Sequence, residues 1–177
     1  MRAVTTVAVI SLVAVIAGCG GAKSRHGATG GSKILVREFD MSGAQVTAYE
    51  RATNGFGLEF AQALAKNLNE SGFDADAVPR GAAVPTDVML VHGDVVKIDG
   101  GNRALRYTVG FGAGAAEFRV RGKVVGQSGD TVGQFATSRR AGVGAFGGDT
   151  ESLMHRCVES VADDVADMVA SGKYASE

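Results

Sequence analysis

Cys19 is the residue whose position points most directly to covalent chemistry. It follows residues 16–18, which end in two small side chains. The thiolate of a cysteine is a nucleophile. Upstream, Arg2 supplies positive charge and residues 7–17 are almost wholly apolar. Residues 1–18 therefore have the charged start, short apolar stretch and small final residues of an export signal.

The sequence Ile16-Ala17-Gly18-Cys19 resembles the lipobox of bacterial lipoproteins. The resemblance implies cleavage between Gly18 and Cys19, a diacylglycerol on the Cys19 sulfur, and an acyl chain such as palmitate on the new amino group. Two or three chains hold a protein stably at a membrane where one is marginal. Because Gly20 rather than aspartate follows the cysteine, the resemblance also implies the outer membrane. An ordinary signal peptide with a chance cysteine is the alternative.

The ionisable residues of the mature chain form no recognisable catalytic or metal-binding pattern. His26, His92 and His155 are scattered, and no His, Cys and carboxylate cluster has the spacing of metal ligands. No serine has the G-x-S-x-G context of a nucleophile elbow. The carboxylates of 163–167 are expected on a solvated helix face. We therefore expect no enzyme, no metal and no cofactor beyond the lipid on Cys19.

Three basic residues are predicted to share one face of a strand. Arg119, Arg121 and Lys123 alternate with smaller or apolar residues, so their side chains project to the same side. This face is either simply solvated or a patch for anionic lipid or an acidic partner.

A glycine-rich stretch is the second candidate for an interaction. Its central residues are Gly110, Phe111, Gly112 and Gly114. The glycine spacing partly matches a dinucleotide-binding fingerprint, but an alternating strand rather than a helix follows it. Two interpretations remain: a close-packed turn in which backbone approaches backbone, or a loop that contacts a partner or a membrane.

Composition restricts the class of partner and the use of cysteine. The formal net charge is −1, with 18 basic and 19 acidic residues. This balance argues against nucleic acid as a partner. With Cys19 lipidated, Cys157 is the remaining cysteine, so no disulfide scaffold is expected. Cys157 is predicted to be a buried helix residue, the alternative being a free thiol that pairs with another chain.

Changes in composition along the chain predict its domain organisation. Residues 1–18 are the signal peptide, and 19–32 carry the lipidated cysteine on a flexible Gly/Ser-rich tether. Residues 33–172 form one domain, a count that suits their length. Residues 173–177 are a short tail.

Hydrophobic periodicity predicts the elements of the domain. Apolar residues at every fourth position predict a helix over 56–71, with Asn54 as its N-cap and Gly72 as its end. A similar stripe predicts a closing helix between Asp149 and Gly172. Strands are predicted at 33–39, 73–78, 86–98, 117–125 and 131–139, with a bulge at Gly93 and a connection over 43–55.

These elements predict an α+β fold. We expect a mostly antiparallel sheet of about five strands with two helices packed on one face. Successive hairpins make the C-terminal half antiparallel. The first strand is separated from its partner by a helix and could pair in parallel.

From residue 87 to 169 the chain resembles bacterial lipoproteins grouped only as a domain of unknown function. The shared features are a long strand that ends at 98–100, an arginine at 103 or 106, and Gly-Phe-Gly-Ala-Gly at 110–114. An alternating strand and a closing helix follow. The resemblance implies a lipoprotein that faces the periplasm, and it supplies no reaction.

The sequence therefore predicts a lipid-anchored cell-envelope protein of unknown molecular activity. We expect the outer membrane as its location, a periplasmic domain, and a binding or scaffolding role. Its partners are the membrane, through the lipid anchor, and an envelope protein, while the oligomeric state stays open. The alternatives are an accessory subunit of an envelope secretion or assembly complex and, more remotely, a periplasmic small-ligand binder or enzyme.

Overall fold

A six-stranded sheet and two helices form the part of the chain that the computed structural model describes, residues 33–49, 55–102, 114–141 and 149–174. The strands are β1 Lys33–Arg37, β2 Gln45–Thr47, β3 Asp74–Val78, β4 Met89–Asp99, β5 Ala116–Val125 and β6 Thr131–Ala141. The helices are α1 Phe56–Glu70 and α2 Thr150–Ser171.

The sheet is mixed, with strand order β3-β1-β4-β5-β6 and β2 beside the second half of β4. β1 pairs in parallel with β3 and β4, and β2 pairs in parallel with β4. β4–β5 and β5–β6 are antiparallel. The predicted α+β class is confirmed, but the mostly antiparallel sheet of about five strands is wrong.

Two local features explain this difference. α1 lies between β1 and β3 in the chain, and such a crossover returns the chain parallel to the first strand. β2 has only three residues, all exposed. It therefore has no apolar pattern and was included in the predicted connection over 43–55.

Both helices bury one apolar stripe against the same face of the sheet. α1 buries Phe60, Leu64 and Leu68, and α2 buries Val161 and Val165, all in one core cluster with the sheet. The predicted ends of both helices are confirmed. Gly72 and Gly172 follow them with φ of 90° and 64°, values that glycine adopts without strain. The N-cap of α1 is Gly55, so the predicted N-cap at Asn54, which lies outside the described residues, is wrong.

Cys157 lies in this core, with 1% of its surface exposed. Burial raises the pKa of its thiol, which keeps the thiol protonated and unreactive. The predicted burial of Cys157 is confirmed. Tyr174, in the predicted tail, also packs against the core, over Gly133.

Gly93 of β4 is paired with Gly122 of β5, at a point where the two strands approach closely. A Cβ atom on Gly93 would lie 2.1 Å from the Arg121 carbonyl oxygen, and one on Gly122 would lie 2.5 Å from the Phe135 ring. The predicted bulge at Gly93 is wrong, because the register runs unbroken there and shifts instead between Val95 and Lys97. Gly93 is glycine because the neighbouring backbone leaves no room for a side chain.

We expect Gly93→Ala to lower the free energy of unfolding by about 2 kcal/mol, because the new methyl group must push β5 away. Gly81→Ala is the matched control, since a Cβ atom there meets nothing within 4 Å. Urea unfolding followed by circular dichroism measures both. Equal midpoints for the two variants would contradict the close strand approach.

Candidate functional site: the open face of the sheet

Several predicted site residues lie outside the described residues, among them Gly18, Cys19, Gly110, Phe111 and Gly112. Gly114 is described and has a φ of 75°. Its carbonyl oxygen lies 2.1 Å from the position that a Cβ atom of Gly101 would take. This end of the glycine-rich stretch is therefore a turn in which backbone approaches backbone.

The candidate site is the face of the sheet that points away from both helices, here called the open face. In β5, the core side chains Phe118, Val120 and Val124 alternate with Arg119, Arg121 and Lys123. Because successive side chains of a strand point to opposite faces, the three basic residues lie together on the open face.

The strand register aligns Arg37, His92 and Lys123 side by side across the open face, and these three residues are here called the cationic row. His92 of β4 is directly opposite Lys123 of β5. Arg37 and His92 each come one position after the paired residues Val36 and Val91. Paired side chains on neighbouring strands lie about 5 Å apart at Cβ, so His92 lies between Arg37 and Lys123, which are two strand spacings, or about 10 Å, from each other.

A second row, here called the paired row, runs beside the first. Arg121 donates from Nε to the Asp94 carboxylate at 3.0 Å. Arg80 lies 2.8 Å from the Asp40 carboxylate, and Asp40 bridges to Asp94 in the sheet. The charges of this row therefore largely cancel within the protein.

The two rows line an open groove of about 560 Å³. Its lining also includes Gly93, Gly122 and Ala136. This volume lies within the range of small-molecule sites in proteins. The open face thus has a depression of ligand size with charged walls.

Within the described ranges, the charges of the cationic row have no carboxylate partner of their own. Among the described residues, the Nε atom of Arg37 is buried with no hydrogen-bond partner. No ion pair between described residues includes Arg37 or Lys123. Burial lowers the pKa of His92, and the nearby positive charges of Arg37 and Lys123 lower it further, while Asp94 acts in the opposite direction. The row therefore holds two positive charges around a neutral imidazole at neutral pH.

Glu117 lies farther along the open face and has a different environment. Its carboxylate lies 3.0 Å from Lys97 Nζ, 2.7 Å from Arg119 and 3.2 Å from Arg140. Its side chain is only 4% exposed. Burial acts to raise the pKa of Glu117, but hydrogen bonds from Lys97 and Arg119 outweigh it and hold that pKa below its ordinary value. The charge of Arg119 is therefore neutralised by Glu117 within the protein.

Sequence reasoning missed Arg37 and Arg80 as members of the site. Both are distant from β5 in the chain, and only the parallel pairing of β1 with β4 brings Arg37 beside His92. The available signal was the alternation in β1, where Ile34 and Val36 are core residues and Arg37 follows on the other face.

Two further features of the described residues bear on function. No group of three or more His, Cys, Asp or Glu side chains there is arranged to hold a metal ion. Neither α1 nor α2 is long and apolar enough to cross a membrane.

We expect Glu117→Gln to lower stability at neutral pH by about 2 kcal/mol, because three cations lose their shared carboxylate. Because the folded-state pKa of Glu117 is lowered, this stabilisation is present above its unfolded-state pKa and is lost as the pH falls through the folded-state pKa. The difference between variant and wild type should therefore shrink in acid. Denaturant unfolding at several pH values measures it.

Asp94→Asn is the control for this prediction. It breaks the exposed ion pair with Arg121, whose side chain is 67% exposed. We expect it to lower the free energy of unfolding by about 0.5 kcal/mol. If both variants lost the same free energy of unfolding, the buried ion pairs of Glu117 would stabilise the fold no more than an exposed pair does, which would contradict the prediction.

Comparison with solved structures shows the fold alone. The PelC dodecamer from Paraburkholderia phytofirmans has a TM-score of 0.53 and 15% identity, over 79% of this chain and 92% of that chain. A variant of the same dodecamer has a TM-score of 0.55 and 17% identity, over 80% and 89% of the two chains. A minor lipoprotein from Acinetobacter baumannii has a lower TM-score of 0.41 and 8% identity, over 80% and 94%. No curated protein sequence matches the chain.

The family is shown by a match to residues 34–145, more than half of the chain. This match covers most of β1 and all of α1, and it ends before α2. It therefore begins earlier in the chain than the resemblance found in the sequence, which starts at residue 87. The chain belongs to the family described as a domain of unknown function, DUF4410.

Proposed function

We propose that the chain is a lipid-anchored cell-envelope protein that acts by binding or scaffolding rather than by catalysis. The lipids are attached at Cys19, and the domain faces the periplasm from the outer membrane. Support for the anchor comes from the residues before Cys19 and from Gly20 after it. Support for the binding role comes from the domain itself.

The observation that carries the binding role is the groove on the open face. It has the volume of a ligand site, and it is lined by Arg37 and Lys123, which have no ion-pair partner among the described residues. A sheet face with only a structural role gains nothing from leaving Arg37 and Lys123 unpaired, because unpaired charges near each other destabilise the fold. Recognition of an external group offsets that destabilisation.

A second candidate function is that of an accessory subunit in an envelope secretion or assembly complex. The observation in its favour is the fold likeness to the PelC dodecamer. Among the described strands, β3 and β6 lie at the two edges of the sheet, and sheet edges are places where copies or partners can add.

The anchor predicts the behaviour of Cys19→Ser. We expect this variant to fractionate with soluble proteins, because the sulfur that carries the diacylglycerol is gone. Membrane fractionation of cells that express wild type and variant measures the effect. Cys157→Ala is the matched control and should stay in the membrane fraction, and retention of Cys19→Ser there would refute the anchor.

The second candidate predicts a defined multimer of the full chain in nonionic detergent. Native mass spectrometry measures its mass, and dilution tests whether copies dissociate. A monomer at all concentrations would contradict an assembly built from copies of this chain and would leave the binding role intact.

A further inference from the structure

We propose that the cationic row, Arg37, His92 and Lys123, binds the oxyanion group of a small ligand, a carboxylate or a phosphate. The inference rests on the proposed function, because it names the chemical class that the open face recognises. It assigns the anionic group to the middle of the groove, between β1 and β5.

Geometry is the first argument. The register places Lys123 opposite His92, and Arg37 next to His92 on the other side. The three side chains come from three adjacent strands of one sheet, so the backbone holds them in fixed relation. Guanidinium, imidazole and ammonium groups all donate hydrogen bonds, and oxyanions accept several at once.

Charge is the second argument. The groove also contains Arg80 and Arg121, but each has its own carboxylate in Asp40 and Asp94. The remaining carboxylate, Glu38, accepts a hydrogen bond from the Arg80 backbone N–H at 3.2 Å and is held at that turn. The positive charges left without a partner among the described residues are those of Arg37 and Lys123, on either side of His92.

The buried Nε atom of Arg37 is the third argument. A buried donor without a partner destabilises a fold by about 1–3 kcal/mol, so such atoms are rare in stable structures. Arg37 lines the groove, so a bound oxyanion is the acceptor that we assign to this atom. The structure thus contains a donor that needs an acceptor from outside the described residues.

The site is coupled to pH through His92. The charged groups around this imidazole are Arg37 from β1, Asp94 from β4 itself and Lys123 from β5, with Gln134 of β6 beyond Lys123. An anion between the two cations counteracts their effect and raises the pKa of His92. Because the two binding events are thermodynamically linked, protonation of His92 in turn strengthens anion binding.

The test uses the full chain in nonionic detergent with sulfate and acetate as probes. Sulfate stands for a phosphate group and acetate for a carboxylate, and chloride keeps the ionic strength constant. The NMR signal of the His92 ring, identified by its loss in His92→Gln, is followed during titration. We expect a saturable shift, a rise of about one unit in the pKa of His92, and about tenfold tighter sulfate binding in acid.

Matched variants locate the binding. Lys123→Gln should weaken binding at least about tenfold, and Arg37→Gln should do the same. Lys66→Gln removes the same charge from an exposed position on α1 and should bind within about twofold of wild type. Circular dichroism confirms that each variant is folded.

Each outcome decides the proposal. A response to sulfate alone assigns a phosphate ligand, and a response to acetate alone assigns a carboxylate. No saturable response to either probe, or wild-type binding by folded Lys123→Gln, overturns it. The Cys19→Ser fractionation is independent of these results, so failure of the oxyanion site and failure of the proposed anchor can be told apart.

Discussion

Burial of one face of β4 and β5 beneath both helices is the constraint on which the open face depends. Val91, Val95 and Val120 are fully or almost fully buried in the core. Because neighbouring side chains in a strand point in opposite directions, the residues between them must face away from the helices. A slip of one residue would exchange the two sets. The hydrophobic core therefore fixes which charged residues meet on the other side of the sheet.

The same alternation explains which parts of the structure can be predicted from the sequence. The stripes of α1 and α2, the burial of Cys157 and the alternating strand β5 depend on residues close in the chain, and periodicity reveals them. The partners of β1 depend on contacts across many residues, which periodicity does not encode. Periodicity alone therefore cannot predict that Arg37 lies beside His92, although both residues belong to predicted strands.

Glu117 and Lys123 show why a strand face cannot be interpreted from alternation alone. Both project from β5 to the open face. Glu117 is enclosed by Lys97, Arg119 and Arg140, whereas Lys123 has only His92 and Gln134 as cross-strand neighbours. Alternation assigns the face of a residue, but the register assigns its neighbours. Those neighbours decide whether a charge is neutralised by another described side chain.

The sealed position of Cys157 has a consequence for measuring motions of the domain. Its sulfur lies between α2 and β5, near the Ala116 carbonyl oxygen. A thiol reagent reaches such a sulfur only when the helix lifts from the sheet or the chain unfolds. The rate of alkylation at Cys157 therefore reports how often that layer opens, without an engineered probe.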